Sequence, residues 1–294
     1  MKIVRSHLLL LSALLVFVLM PAISAQQPAA KPALPANARN EELDSKLMGR
    51  KMPYRVILPV TYSGQPDEKF PVIYLLHGLT GHFNNWTDLT KLYAYAQSYK
   101  AIIVTPEGDN GWYSDSFSNA NDKYESYIVQ ELIPEIDKKF RTLSTRDKRA
   151  IAGLSMGGYG ALKFGLKYPE KFILAGSFSG ALGAASFSEK TSGAIGKSID
   201  LIYGPLDGET RKANDIFGIV KGLTPEKIKA LPFLYVDCGT EDFLFQNNRD
   251  FIALLVDKKI PHEFRQLPGA HNWQYWDKQV QEILLLAERY FSRK

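Results

Sequence analysis

The sequence predicts an α/β domain: a mostly parallel central sheet with helices on both faces and an irregular insertion above the strand ends. Short, almost continuously apolar runs carry this reading. "YRVILPV", "FPVIYLLHG", "AIIVTPE", "RAIAGLS", "FILAGSFSG" and "FLYVDCG" alternate with segments of helical period such as "LTKLYAYAQSY" and "YIVQELIPEIDKKF". A strand apolar on both sides must be covered on both sides, as parallel strands flanked by helices are. The second observation is size. With 294 residues, 45% hydrophobic and 23% charged, the chain can bury the core of one such unit.

Along the chain, Lys2 and Arg5 precede the apolar run "LLLLSALLVFVLM", and "PAISAQ" offers small residues for cleavage after Ala25. Residues 1–25 therefore read as a secretory signal peptide, and the mature chain as periplasmic or secreted and free of the membrane. No cysteine follows the run to take a lipid. Residues 26–42, rich in Pro, Ala and Gln without hydrophobic period, read as a flexible leader, and residues 43–294 as the catalytic domain. Losing Lys2 and Arg5 lowers the formal charge from +5 to +3. Without a basic cluster, that excess gives no reason to expect nucleic acid as a partner. The single cysteine, Cys238, lies in an apolar strand and reads as a buried small hydrophobe. Between Gly180 and about Lys221 the pattern becomes irregular, which marks the insertion; its "TSGAIGKS" lacks the leading glycine and preceding strand of a phosphate-binding loop. In the last helix, Val280, Ile283, Leu284 and Ala287 form the face expected to pack on the sheet.

Chemistry concentrates at "GLSMG", residues 153–157. A chance G-x-S-x-G occurs in about one chain in ten of this length, so the letters alone decide little. Their context does. "RAIAGLS" reads as a buried strand and "MGGYGALKFGLKYPE" as a helix with small residues in its first turns. A sharp strand-to-helix turn lifts Ser155 clear of the chain, and Gly153 and Gly157 are needed because a Cβ there would collide with neighbours. A serine hydroxyl needs a base, usually histidine oriented by a carboxylate. Of five histidines, His7 falls in the signal peptide, His77 reads as shaping a loop, and His82 and His262 have no supporting context. His271, in "LPGAHNWQYW" before the last helix, stands where the order Ser, acid, His places a base. The acid comes from "FLYVDCGTEDFLFQNN", which offers Asp237, Glu241 and Asp242. Asp242 is favoured because it lies on the loop after the strand, with Asp237 and Glu241 as alternatives. Two backbone N–H groups should face the oxyanion, that of Met156 and, from "LLHGLTGHFNNW", that of Leu79.

"LLHGLTGHFNNW", "VTPEGDNGWYSDS", "GLSMGGYGAL", "DCGTEDF" and "GAHNWQYW", in this order over about residues 45–292, resemble the esterase D branch of the α/β-hydrolases. That branch includes tributyrin-type and acetyl esterases, feruloyl esterases, S-formylglutathione hydrolases and mycolyltransferases. The resemblance implies Ser155 as nucleophile, Asp242 as acid, His271 as base, and Leu79 and Met156 as oxyanion donors. It also implies that "GDNGWYSDS" borders the substrate pocket, so Trp112 and Tyr113, with Tyr159 from the elbow side, are expected to line it, and Phe117 to help close it. The expected activity is hydrolysis of short-chain acyl or carbohydrate-linked esters through an acyl-enzyme, with small-molecule or carbohydrate esters as partners. Acyl transfer on the same triad is the alternative. A non-catalytic binding scaffold would be expected to lose a triad member, and none is lost. No cofactor or metal is expected, since no H-E-x-x-H, cysteine cluster or dinucleotide fingerprint occurs.

Overall fold

The computed structural model describes residues 33–293. The expected signal peptide, and the leader as far as residue 32, lie outside the described residues. Eight strands form one sheet: β1 (Ala38–Ser45), β2 (Arg50–Ile57), β3 (Val72–Leu76), β4 (Ile102–Pro106), β5 (Arg149–Leu154), β6 (Leu174–Phe178), β7 (Phe233–Gly239) and β8 (His262–Leu267). Their spatial order is β1-β2-β4-β3-β5-β6-β7-β8. From β4 to β8 every neighbouring pair is parallel, and only β1–β2 and β2–β4 are antiparallel.

The six apolar runs correspond to β2 through β7; both outer strands are additions. β1 begins inside the stretch 26–42 expected to be a flexible leader, ahead of the boundary at Leu43. It pairs residue by residue with β2, from Ala38 opposite Ile57 to Ser45 opposite Arg50. Most of its side chains are at least partly exposed, so it carries no apolar period. At the opposite edge β8 is also only partly buried, and Arg265 pairs there with Glu263 and Glu282. Charged edge strands discourage pairing with another sheet, which is why neither reads as a strand from hydrophobicity.

Side chains alternate across the buried strands and build a core on each face. Val72, Tyr74 and Leu76 join Met156, Tyr159 and Leu162 of the helix Met156–Lys167. Ile73 and Leu75 face the other core, with Val280, Ile283, Leu284 and Ala287 of the C-terminal helix Trp273–Phe291, as the sequence predicts. The insertion consists of short helices, Glu189–Tyr203, Glu209–Ala213 and Ile216–Lys221. The first is broken at Ser192 and Gly193, and the latter has φ of 53°.

The turn between β5 and its helix leaves no room for side chains at its two glycines. A Cβ on Gly153 would lie 2.5 Å from the Gly157 carbonyl group, and one on Gly157 would lie 2.5 Å from the carbonyl oxygens of both Leu76 and His77. These obstacles are backbone and cannot swing away. Gly157→Ala is therefore expected to destabilise the protein by about 1–3 kcal/mol or more and to depress activity. A urea midpoint equal to wild type would contradict the close approach.

Candidate active site

Ser155 sits between β5 and the helix with φ 53° and ψ −116°, a conformation that a non-glycine residue adopts only under constraint. The constraint is hydrogen bonding. Ser155 N–H donates to Phe178 O at 2.9 Å, and Ser155 O accepts from the N–H groups of Tyr159 and Ala181 at 3.0 and 3.1 Å. The hydroxyl is thereby aimed at His271, whose Nε2 lies 3.0 Å from Ser155 Oγ. On the other side of the ring, Nδ1 lies 2.8 Å from Asp242 Oδ2. A carboxylate can only accept, so Nδ1 carries the proton and Nε2 is left free to accept from the serine.

Residues 155, 242 and 271 come from the ends of three strands, and short loops bring them together. The loop after β7 is zipped to the loop after β8. Thr240 N–H donates to Leu267 O at 2.9 Å, Glu241 N–H to Gly269 O at 3.0 Å, and the Glu241 carboxylate accepts from Gly269 N–H. Glu241 thus belongs to this clamp and makes no hydrogen bond to His271. Asp242 Oδ1 accepts from Leu244 N–H at 2.8 Å, which fixes the carboxylate. The His271 ring stands between Phe243, at 4.7 Å between centroids, and Trp276, edge-on at 4.9 Å. None of the other described histidines bonds to Ser155: His77 bonds Gly78 O, His82 lies near Glu107, and His262 bonds Ile260 O.

The Gly78–Leu79 peptide is oriented from its carbonyl end. Gly78 O accepts from His77 Nδ1–H at 2.8 Å and from Gly81 N–H at 3.0 Å. In a planar trans peptide the N–H points opposite to the C=O, so Leu79 N–H is directed away from these donors, and it has no acceptor among the described residues. The next N–H, that of Thr80, is occupied by Asn110 Oδ1 at 2.8 Å. Met156 N–H is the first of the elbow helix, one of the terminal donors that a helix leaves unpaired.

Ser155 and His271 open into a cleft of about 610 Å³. Leu79, Leu89, Ile195, Phe243, Trp273 and Trp276 supply its apolar lining, and Thr80, Asn85 and Asn272 its polar side. Trp112, Tyr113 and Tyr159 are absent from that lining, contrary to expectation. All three are buried in the layer beneath. Their polar atoms turn inward: Trp112 Nε1 donates to Ser198 Oγ, Tyr113 OH to His77 O and Tyr159 OH to Asn214 O. Phe117 is exposed and borders a separate surface groove. Phe243, Trp273 and Trp276 adjoin Asp242 and His271 in sequence, and that neighbourhood is the available signal; Leu89 and Ile195 carry none. Among the described residues, no group of three or more His, Cys, Asp or Glu side chains is placed to hold a metal ion.

The Esterase family model matches residues 45–287, nearly the whole described domain. The chain belongs to the Esterase family. An acetyl esterase of Caldicellulosiruptor saccharolyticus is 30% identical over 250 residues, covering 80% of this chain and 92% of that protein. A ferulic acid esterase structure superposes with a TM-score of 0.76 at 28% identity, over 87% of this chain and 98% of the other. A substrate-bound, fluorophosphonate-binding serine hydrolase of Staphylococcus aureus gives 0.75 at 28%, over 85% and 97%. The protein is a serine esterase with the α/β-hydrolase fold, in the esterase D-like branch.

Two carboxyls of the esterase, five positions apart, are shifted in opposite directions from the ordinary aspartate value. Burial works to raise Asp242, but hydrogen bonds from His271 and Leu244 N–H outweigh it and hold the carboxyl below its ordinary value. Burial dominates at Asp237, which is raised to about 8 although Tyr235, Tyr275 and Arg265 pull it down. A neutral Asp237 cannot stabilise an imidazolium. Its folded pKa lies above the ordinary 3.8, so the native state loses stability as pH rises from about 4 to about 8. Asparagine is neutral throughout. Asp237→Asn is thus expected to raise Tm relative to wild type by more at about pH 8 than at about pH 5, with kcat little changed. Asp242→Asn should lower kcat by about 10⁴-fold. Exchange of the two behaviours would reverse the assignment of the acid.

Proposed function

We propose that this esterase is exported and hydrolyses short-chain acyl or carbohydrate-linked esters through an acyl-enzyme on Ser155. The observation that carries the reading is the unbroken chain from Asp242 through His271 to Ser155, at 2.8 and 3.0 Å. In the forward step Ser155 Oγ attacks the ester carbonyl while His271 Nε2 takes its proton. Asp242, held ionised, stabilises the imidazolium. The carbonyl oxygen becomes an oxyanion and is received by the N–H groups of Leu79 and Met156, which need no reorganisation. Collapse expels the alcohol, protonated by His271, and leaves the acyl group on Ser155. Water then repeats the sequence, with His271 again as base, and releases the acid.

The cleft supports the substrate class. Its apolar wall suits a small acyl group, and Thr80, Asn85 and Asn272 offer hydrogen bonds to a hydroxyl-bearing alcohol. The acetyl and ferulic acid esterases among the relatives act in the same direction. Export rests on the signal-peptide pattern of residues 1–25.

Ser155→Ala should fold normally and lose up to about a millionfold in kcat; a purified, folded variant retaining a tenth of wild-type kcat would exclude Ser155 as nucleophile. Among p-nitrophenyl acetate, butyrate and octanoate, tested beside acetylated and feruloylated xylo-oligosaccharides, kcat/KM is expected to be highest for a short acyl group or a sugar ester. An octanoate optimum would overturn this substrate class. With a sugar alcohol added, the product should remain the free acid, and an acylated sugar would identify a transferase instead.

A further inference from the structure

Tyr113 lies outside the cleft lining, yet the fold holds it in a costly conformation. It is fully buried, and it and Trp112 are consecutive non-glycine residues with φ of 50° and 51°. Such a pair is disfavoured unless its surroundings impose it. The surroundings are specific. The Tyr113 ring is clamped between the end of β4 and the elbow helix: a Cβ on Gly108 would lie 2.4 Å from it, and one on Gly160 2.8 Å. The Tyr113 carbonyl accepts from Lys163 Nζ at 2.7 Å. Lys163 projects from the elbow helix, is wholly buried, also donates to Ser114 Oγ at 2.5 Å and Asn214 Oδ1 at 3.0 Å, and is ion-paired with Glu125 Oε2 at 2.9 Å.

The other end of Tyr113 reaches the oxyanion loop. Its hydroxyl donates to His77 O at 3.0 Å. That carbonyl is the one Gly157 approaches so closely. His77 O is therefore gripped between the first turn of the elbow helix, which carries Met156, and the Tyr113 hydroxyl, and the loop continues directly into Leu79. We propose that Tyr113, held in its left-handed conformation by the buried ammonium of Lys163, is a positioning residue that sets the spacing between the Leu79 and Met156 N–H groups. Neither side chain touches substrate. The inference rests on the oxyanion donors proposed above and adds what holds them in register.

The test is Tyr113→Phe, which keeps the ring in its clamp and removes only the bond to His77 O. It is read by kcat, KM and the inhibition constant of an alkyl trifluoromethyl ketone, whose adduct with Ser155 places an oxyanion between the two donors. Donors that are displaced but present should cost less than a deleted donor, so kcat is expected to fall about tenfold. The ketone should weaken by a similar factor and KM stay within about twofold, because the loss falls on the transition state. A purely structural role would lower Tm and leave the ketone's affinity for the folded enzyme unchanged. Wild-type kcat and ketone affinity in Tyr113→Phe, or a loss confined to KM, would overturn the proposal. Lys163→Met should give the same signature if it folds, and a folded Lys163→Met with wild-type constants would remove Lys163 from it; if it does not fold, Tyr113→Phe decides. Ser155→Ala in the same series separates the two readings, since activity there would sink the acyl-enzyme itself, whereas an inactive Ser155→Ala beside an unaffected Tyr113→Phe would sink only the positioning role.

Discussion

Between Gly157 and the carbonyl oxygens of Leu76 and His77 there is no room for a methyl group, and the geometry of the active site follows from that contact. β3 and β5 are neighbours in the sheet, with Leu76 opposite Gly153, so the helix that leaves β5 must turn back across the end of β3. Only glycine on both sides of the serine lets it do so. The turn places the first turn of the helix, which begins at Met156, against the end of β3 and the start of the loop that runs on to Leu79. It also leaves Ser155 in a strained conformation that costs about 1–3 kcal/mol, offset by the bonds to Phe178, Tyr159 and Ala181. Strain here fixes where the hydroxyl points.

Around this contact, buried charge is used to hold loops as well as to do chemistry. Burial works to raise Glu107, at the end of β4, yet the hydrogen bond and charge of His77 and the N–H groups of Asp109 and Phe83 bring it down to about 2. It stays ionised and ties the loop after β4 to the loop after β3. Asp242 is treated the same way and oriented on His271, whereas Asp237, on the buried strand itself, is left to burial and becomes neutral. Position on the loop, rather than residue type, decides which aspartate is held ionised.

The elbow is legible in the sequence because its constraint is written in residue type and context together: glycines at 153 and 157 flank a serine where a buried apolar run gives way to a helix of small residues. β2 to β7 are legible because burial on both faces forces continuous apolar runs. β1 and β8 are not, since edge strands are half exposed and carry charge. Loop position and the family resemblance favour Asp242 in the sequence, and the structure separates it from its neighbours by the 2.8 Å contact to His271, with Glu241 turned to Gly269 and Asp237 held on the buried strand. Trp112, Tyr113 and Tyr159 mislead for a physical reason. A large aromatic near a site reads as lining, and nothing in the letters reveals a left-handed backbone that turns two of these rings under the site. The actual lining draws Leu89, Ile195 and Phe243 from three distant segments, a convergence that only the fold supplies.

The most direct test of the account is chemical trapping of the acyl-enzyme. With p-nitrophenyl butyrate the alcohol leaves readily, so deacylation is expected to be the slow step and the intermediate to accumulate. Rapid mixing, acid quench and peptide mass mapping are expected to show a burst of p-nitrophenol matched by one butyryl group, carried on the peptide that contains Ser155. A burst with the acyl group on another residue, or steady turnover by an enzyme that never carries one, would contradict it.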